Sequence, residues 1–377
     1  MEIIKNYSKK IYKKDSKDKI RVLHVFTEGS TLVQESGIVD GKLVQHSSEC
    51  AGKNIGKSNE TTPEEQALSE AMSKIETKMT EGYFNSIEDA EEKGGEKVIL
   101  PMLAKSYEKE IEKVDWKKAV FIQPKLDGMR CLAILKDGEV TLISRKGKII
   151  DTVPHINNAL VELSKTTNVV LDGELYAHGK TFQENMRLLK KNRGLETEEI
   201  LYHIYDTVSD QSYINRYDII KNVVEQIEVN AFETLKVELV STAFIDNVNK
   251  VKDFHSLFLG QGYEGSIIRH GSSGYDINKR SSSLLKVKDF IDKAYPIIDV
   301  VPSERRPEQG VIVCEMPSGN IHNKTFHANL KFSHAEREEI LNNKDKYIGQ
   351  TAEIRFFEFT EDGIPRFPVC VGFRLDK

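Results

Sequence analysis

The chain has 377 residues, which is enough for two or three domains of ordinary size. It is 39% hydrophobic and 30% charged, as expected of a globular protein with buried cores, and it contains no apolar run long enough to span a bilayer. The net charge of −5 argues against a protein whose surface is largely covered by nucleic acid, but it does not exclude a local basic groove.

The N-terminus and the cysteines both indicate a protein that stays inside the cell. The first residues lack the long apolar stretch of a secretory signal. The four cysteines are far apart and form no C-x-x-C pair, so a zinc site or a disulfide framework is not expected. We therefore expect a cytoplasmic or nuclear protein that is not secreted.

The first segment, residues 1–95, combines strands with one well-marked helix. Alternating apolar residues predict strands at Ile20–Phe26 and Thr31–Gly37, and Asp40-Gly41 predicts a hairpin turn. Thr62 is a good N-cap for a helix, Pro63 suits its first position, and Glu65 completes a capping box. We expect the helix to end near Gly82, in a small α+β domain.

The middle segment, residues 96–291, alternates the patterns of strands and helices and predicts an α+β domain built on antiparallel sheets. The predicted strands are Ala119–Gln123, Arg130–Leu135, Val140–Ser144 and Val169–Leu175, and the predicted helices are Ile156–Ser164 and Arg216–Glu228.

The last segment, residues 292–377, is mostly strands with one short helix. Strands are predicted at Ile297–Val301, Gly310–Glu315 and Ala352–Phe359, and a helix at His334–Leu341. A small β-barrel of the oligonucleotide-binding (OB) type fits this length and pattern.

The chemistry centres on Lys125–Arg130, with the sequence K-L-D-G-M-R. A lysine at a strand end, followed by a turn glycine, can project into a cleft and act as a nucleophile through its neutral amine. An ordinary charged hairpin turn is the alternative, because Asp-Gly is a favoured turn pair.

Further motifs follow the lysine in a fixed order. They are S-R-K-G at Ser144–Gly147, L-D-G-E-L at Leu171–Leu175, Y-H-I-Y-D at Tyr202–Asp206, E-G-S-I-I-R at Glu264–Arg269, L-L-K-V-K at Leu284–Lys288, R-F-P at Arg366–Pro368 and R-L-D-K at Arg374–Lys377. Pro101–Ala104 precedes them. The set resembles the covalent nucleotidyltransferase superfamily and, within it, the ATP-dependent DNA ligases, over roughly residues 100–377.

The resemblance implies an adenylation (nucleotidyltransferase) domain followed by an OB-fold barrel. It also implies an enzyme that uses ATP and Mg²⁺ to seal nicks with a 3′-hydroxyl and a 5′-phosphate in duplex DNA, in replication, repair or recombination. Lys125 would carry AMP covalently and pass it to the 5′-phosphate before the 3′-hydroxyl attacks. Such ligases act as monomers and need no membrane.

The resemblance also assigns roles to single residues. Gln123 would face the adenine edge, Tyr205 would stack on adenine, Glu174 would accept a hydrogen bond from the ribose, and Arg130 would hold the ribose or the nick phosphate. Asp127, which belongs to the lysine motif, would be catalytic together with Lys125, Arg130, Lys286 and Lys288. An aromatic core position for Tyr205, and solvated charges at Glu174 and Arg130, are the alternatives.

Phosphate and metal contacts are implied for the remaining motif residues. Arg145 would hold the 5′-phosphate, since the forked donors of arginine suit phosphate. Glu264, with Glu174, would bind Mg²⁺, a cation that takes few carboxylates. Lys286 and Lys288 alternate along a predicted strand, so both could reach the α-phosphate and favour the neutral amine of Lys125.

The end of the chain is expected to move during the reaction. Arg374 and Lys377 would clamp the departing pyrophosphate when the barrel closes over the nucleotide, with Phe290–Lys293 as the hinge. Arg366 would contact ATP or support the barrel. We expect residues 1–95 to be an accessory domain that contacts DNA, because lysines lie in its Gly-rich loop at 52–59; a solvated loop is the alternative.

Other functions remain open on sequence grounds. A capping guanylyltransferase or an RNA ligase shares the lysine motif, although the R-L-D-K, L-L-K-V-K and Phe-Pro segments favour a DNA ligase. NAD⁺-dependent ligases need further domains and zinc-ligand cysteines that this chain lacks. A non-catalytic nick-binding protein on a ligase fold is the alternative outside the enzymes.

Overall fold

A computed structural model describes residues 7–56, 58–92, 99–230, 236–317, 324–360 and 362–374. The chain forms two compact units, Met1–Lys286 and Val287–Lys377. Within the described ranges, no helix combines the length and the apolar character needed to cross a membrane.

The first four strands form an antiparallel sheet in the order β1-β2-β3-β4. Their bounds are β1 (Ser8–Lys14), β2 (Ile20–Glu28), β3 (Thr31–Ile38) and β4 (Val44–Glu49). The turn at Asp40-Gly41 joins β3 to β4 as predicted, whereas β1 was missed because it has only one fully buried side chain, Ile11.

The helix α1 (Pro63–Thr80) begins as its sequence predicts. The Thr62 side chain accepts a hydrogen bond from the backbone of Glu65, and the Glu65 side chain accepts one from the backbone of Thr62. Its apolar stripe, Ala67, Ala71 and Ile75, packs on the sheet together with Ile11, Leu23, Val25 and Leu32. A short helix, α2 (Ile87–Glu92), follows.

Two five-stranded sheets make up the rest of the first unit. Their strands are β5 (Leu103–Ser106), β6 (Val120–Lys125), β7 (Met129–Lys136), β8 (Glu139–Ser144), β9 (Val169–Tyr176), β10 (Leu201–Thr207), β11 (Val237–Leu239), β12 (Ala243–Ile245), β13 (Gly265–His270) and β14 (Arg280–Val287). One sheet has the order β11-β10-β9-β7-β8, and we call it the glutamate sheet because β9 carries Glu174. The other has the order β12-β6-β13-β14-β5, and we call it the lysine sheet because β6 ends in Lys125.

Five helices accompany these sheets: α3 (Tyr107–Glu110), α4 (Pro154–Ser164), α5 (Phe182–Lys190), α6 (Tyr213–Asn230) and α7 (Val248–Gly260). The largest core lies between the glutamate sheet and α4, α5 and α6; it includes Leu135, Ile156, Leu160, Leu171 and Ile220. Most strand pairs are antiparallel, and β10–β11 and β5–β14 are parallel. The arrangement is α+β, as predicted.

The second unit is a closed five-stranded barrel in the order β15-β16-β17-β19-β18. Its elements are β15 (Ile291–Pro302), β16 (Gly310–Glu315), β17 (Thr325–Leu330), α8 (His334–Asn342), β18 (Thr351–Phe356) and β19 (Val369–Arg374). Tyr295, Ile312, Phe326, Ile354 and Phe356 fill its interior.

The position of the predicted hinge needs a correction. Ile291, Asp292 and Lys293 are not a connector, because they already belong to β15 and pair with Phe356, Arg355 and Ile354 of β18. The two units divide earlier, after Lys286. The domain boundaries at 95/96 and 291/292 stay predictions.

Candidate active site

Lys125 ends β6 with its side chain partly exposed, and its Nζ donates a hydrogen bond to Glu264. Glu264 directly precedes β13, the neighbour of β6, and its backbone N–H bonds to the carbonyl of Lys125 at 3.0 Å. The Glu264 side chain is only 5% exposed, so its carboxylate is held in place beside the amine. The pairing of two adjacent strands therefore fixes a lysine against a buried carboxylate.

The glycine of the lysine motif is required by close packing. A Cβ at Gly128 would lie 2.3 Å from the carbonyl oxygen of Leu175 and 3.1 Å from Cγ of Glu174. The backbone after Lys125 thus runs against β9 of the glutamate sheet. Leu126 anchors this stretch by packing with Tyr176 and Val240.

Glu174 and Tyr205 lie side by side on the glutamate sheet. The Tyr205 hydroxyl lies 3.2 Å from Glu174 Oε2 and 3.1 Å from the carbonyl oxygen of Gly173. Burial raises the pKa of Glu174 to about 7, although the positive charges of Lys125 and Arg130 oppose that shift. A carboxyl group with such a pKa next to a candidate nucleophile is typical of functional sites.

Arg130 is anchored by a fully buried carboxylate. Its Nε and Nη2 donate to the two oxygens of Asp172 at 2.6 and 2.5 Å, and Nη2 also donates to the Met102 carbonyl at 3.0 Å. The Tyr275 hydroxyl donates to Asp172 at 2.6 Å and accepts from the Met102 backbone at 2.9 Å. Burial opposes the charge of Arg130, but the combined effect of Asp172, Tyr205 and Tyr275 outweighs it and raises the pKa of Arg130.

A second buried network lies between the two sheets. Asp206 of β10 accepts hydrogen bonds from Arg216 at 2.7 Å and from Arg269 of β13 at 2.5 Å. Arg269 also donates to Gln123 Oε1 at 2.7 Å, and Gln123 Nε2 donates to Tyr213 and Thr242 at 2.8 Å each. Gln123 is 1% exposed. The prediction that Gln123 faces adenine therefore gains no support, since its amide is used inside the protein.

Comparison with known proteins agrees with this geometry. Residues 101–288 match the family model described as "ATP dependent DNA ligase domain", and residues 308–374 match "DNA ligase OB-like domain". The DNA ligase of African swine fever virus (strain Badajoz 1971 Vero-adapted) is 28% identical over 97% of this chain and 86% of its own length. That of Enterobacteria phage T4 is 24% identical over 73% of this chain and 68% of its own.

The chain belongs to the ATP-dependent DNA ligase family. A solved structure from a study of DNA binding by Lig E DNA ligases covers 73% of this chain and 99% of its own, with a TM-score of 0.58 at 21% identity. At this level of identity, the similarity supports the fold alone. The predictions of an adenylation domain, an OB-fold barrel and an enzyme that uses ATP to join DNA strands are confirmed.

Three predicted phosphate contacts of the ligase lie on elements other than β6, the strand that ends in Lys125. Arg145 is exposed at the tip of the turn after β8. Lys286 is half-buried on β14, which neighbours β13 in the lysine sheet. Lys288 lies just beyond the end of β14, in the second unit, where its Nζ is 4.2 Å from the centre of the Phe357 ring.

Two predicted site residues of the barrel, Arg374 of the clamp and Arg366, pair with acidic side chains. Arg374, the last residue of β19, donates to Glu353 at 3.1 Å and is half exposed. Arg366 pairs with Glu358 and lies 5.2 Å from the ring centre of Phe367. Lys377 lies outside the described residues, so its predicted role stays a prediction.

Sequence reasoning missed the residues that support the site from within. Asp172, Asp206 and Arg269 were quoted as letters of motifs, but no role was given to them; Arg216 and Tyr275 were not singled out. For Asp172, Asp206 and Arg269 the signal is a charged residue inside an otherwise apolar strand, since such charges are almost never buried unless they are paired.

Proposed function

We propose that this ligase carries AMP on Lys125 during the sealing of nicks in duplex DNA. Nζ attacks the α-phosphorus of ATP, a nitrogen–phosphorus bond forms, and the bond to the leaving pyrophosphate breaks. AMP then passes to the 5′-phosphate at the nick. The 3′-hydroxyl attacks that activated phosphorus, the new phosphodiester forms and AMP leaves. The observation that carries the proposal is the placement of Lys125 beside Glu264 and Glu174 in a chain of this family.

Glu264 and Glu174 orient the reacting groups. Because Glu264 is nearly buried and accepts a hydrogen bond from Nζ, it fixes the direction in which the amine points before the nucleotide arrives. Glu174 and Tyr205 form the opposing wall, where a carboxyl group can accept a hydrogen bond from ribose and a ring can stack on adenine. Such preorganisation is the main means by which phosphoryl transfer is catalysed.

Arg130 is the better placed of the two arginines for the nucleotide side of the site. Its bidentate bond to Asp172 fixes the guanidinium, and the centre of the Tyr205 ring is 5.2 Å away. Arg145 is exposed, so DNA can reach it, and its forked donors suit the 5′-phosphate.

The site fits Mg²⁺ as well as ATP. Glu264 already pairs with the side chain of Lys125 here, and Glu174 lies close enough for the charge of that lysine to oppose the rise that burial causes in its pKa. Mg²⁺ takes one or two carboxylates together with phosphates and water, and Glu264 and Glu174 can supply the carboxylates. Bound there, Mg²⁺ would neutralise charge on the phosphates.

The other parts of the chain serve DNA and the nucleotide phosphates. Lys286 and Lys288 reach the α-phosphate, and Arg374 and Lys377 hold the leaving pyrophosphate when the barrel closes. Residues 1–95 contact duplex DNA, and the ligase acts as a monomer. In the Gly-rich loop, Lys53 pairs with Glu70 at 3.1 Å, and Lys57 lies outside the described residues.

Labelling with nucleotide tests the proposal. The ligase and a Lys125→Ala variant are incubated with Mg²⁺ and α-labelled ATP or GTP, denatured, and in parallel chased with nicked duplex DNA. Label from ATP that survives denaturation, is absent from the variant and leaves the protein as the nick is sealed is expected. Label from GTP alone would indicate a capping enzyme, and the absence of label would indicate a nick-binding protein.

A further inference from the structure

The turn that carries Arg145 is a tight and well-defined hairpin loop. The Gly147 N–H bonds to the Ser144 carbonyl at 2.8 Å, and the Ser144 N–H bonds to the Lys148 carbonyl at 2.8 Å. Gly147 has a φ of +78°, as expected of the glycine that follows a type I turn in a three-residue loop. Arg145 and Lys146 project from the tip and are exposed. The direction of Arg145 therefore depends on how this loop is held.

The N-terminal helix α1 holds the loop from the side. A Cβ at Gly147 would lie 3.2 Å from Cβ of Thr80 and 3.1 Å from Cδ2 of Leu100. One helical turn before Thr80, on the same face of α1, Glu76 accepts a hydrogen bond from Nζ of Lys148 at 2.8 Å. That ion pair is exposed and contributes little by itself, so the close packing at Gly147 is the main contact.

Helix α1, which provides this contact, is packed tightly against the N-terminal sheet. Ala67, Ala71 and Ile75 bury its other face on the first sheet. Beyond its end, Phe84 and Tyr12 of β1 exchange backbone hydrogen bonds of 2.7 and 2.8 Å. The loop with Arg145 thus packs against a rigid element of the N-terminal sheet-and-helix region rather than against solvent.

Leu100, which takes part in the contact at Gly147, is also connected to the residues that anchor Arg130. Its carbonyl accepts a hydrogen bond from Asn278 at 2.9 Å, in the segment that begins with Tyr275. Leu100, Tyr275 and Asn278 also line a cleft of about 640 Å³, whose other wall includes Glu81 and Gly82 at the end of α1. Tyr275 in turn bonds to Asp172, which anchors Arg130.

We propose that the end of α1 positions Arg145 for the 5′-phosphate of the nick, with Thr80 and Leu100 as positioning residues that never touch DNA. The N-terminal region then controls the DNA-dependent steps of the reaction and not only the affinity for duplex DNA. The inference rests on the proposed role of Arg145 in the sealing reaction. It gives α1 a role distinct from that of a DNA-binding surface.

A bulky residue at position 80 tests this role, because it pushes directly against Gly147. The full chain carrying Thr80→Trp is compared with Thr77→Trp, a matched control whose threonine is exposed and whose side-chain hydroxyl donates to the Ser73 carbonyl of its own helix. Two rates are measured: the formation of protein-bound label from ATP without DNA, and the transfer of that label to nicked DNA. Thr80→Trp is expected to slow the transfer at least about fivefold, the lower end of coupling between sites, and to leave the labelling step unchanged.

A double variant separates positioning from a general loss of structure. In the background of Arg145→Ala, Thr80→Trp is expected to cause no further slowing, because it acts through Arg145. Leu100→Ala, which removes a contact without adding bulk, should also slow the transfer to nicked DNA if tryptophan lowers the melting temperature. Normal transfer in Thr80→Trp and in Leu100→Ala, or effects that multiply with Arg145→Ala, would overturn the inference. Absence of label in the unmodified chain would instead overturn the proposed function.

Discussion

Arg269 donates a hydrogen bond to Asp206 across 2.5 Å, and this buried ion pair joins the two sheets of the adenylation domain. Arg269 lies on β13, in the sheet that carries Lys125, whereas Asp206 lies on β10, in the sheet that carries Glu174. The two side chains are 3% and 0% exposed. The distance between Lys125 and Glu174, which lie on different sheets, is therefore set by buried charges that solvent does not reach.

Removal of Asp206 should be strongly destabilising. Asp206→Ala leaves the guanidinium groups of Arg216 and Arg269 buried without their shared carboxylate, and breaking a buried pair in this way typically costs about 3–5 kcal/mol. Urea unfolding followed by circular dichroism measures the loss. The matched control is Glu196→Ala, which breaks an exposed pair with Arg187 and should cost less than about 1 kcal/mol. Equal losses in the two variants would mean that the buried pair does not hold the sheets together.

Replacement of Gly128 by alanine should impair both stability and adenylation. The added Cβ would meet the Leu175 carbonyl at 2.3 Å, so either β9 or the lysine motif must move. We expect a loss of about 1–3 kcal/mol, as for overpacking, and slower labelling by ATP. Gly260→Ala is the control, because a Cβ there meets nothing within 4 Å. Wild-type labelling by Gly128→Ala would show that the close approach is unimportant.

The pH dependence of stability should reveal the state of Glu174. Its pKa in the folded protein is about 7, above the ordinary value of 4.5, so the folded state prefers the protonated carboxyl group. The stability that this preference contributes is complete below pH 4.5 and is lost as pH rises through 7. The melting temperature of Glu174→Gln relative to the unmodified chain should therefore rise between pH 5 and pH 8.

Glu184 supplies the control for that experiment. Hydrogen bonds from the backbone and side chain of Thr181 lower the pKa of Glu184, so this carboxylate is already ionised at pH 5. Glu184→Gln should therefore shift the melting temperature by nearly the same amount at pH 5 and at pH 8. A constant difference for Glu174→Gln as well would contradict the raised pKa.

Loss of the Tyr275 hydroxyl should weaken the anchor of Arg130. In Tyr275→Phe, Asp172 loses one donor and the buried N–H of Met102 loses its acceptor, which should cost about 1–3 kcal/mol. The rate of nick sealing should fall even at temperatures at which Tyr275→Phe is still folded, because Arg130 is held less firmly. Tyr347→Phe, whose hydroxyl bonds to Glu339 at the surface, serves as the control. If Tyr275→Phe seals at the normal rate, Asp172 orients Arg130 without help.

Local signals predicted the elements whose structure depends on neighbours in sequence. The capping box at Thr62 is a chemical requirement of one short segment, and it could be predicted. The strand β1 could not, because six of its seven residues are only partly buried or exposed and give no apolar alternation.

The partners of the buried charges depend on packing between sheets. Gln123, two residues before the lysine, was expected to face the adenine edge, and that role stays a prediction; in the structure its amide belongs to the network of Arg269 and Asp206. Alternation along a strand predicts that Gln123 and Lys125 share a face. It does not predict that the Asp206 carboxylate of β10 and the Tyr213 hydroxyl lie in the same buried network.

Mapping the covalent adduct tests the central claim most directly. The ligase is incubated with ATP and Mg²⁺ without DNA, digested, and analysed by mass spectrometry for a peptide that carries AMP. The account predicts AMP on the side chain of Lys125, in the segment that also contains Asp127 and Gly128, and its disappearance after nicked DNA is added. AMP on any other residue, or an unmodified Lys125 in a preparation that seals nicks, would contradict it.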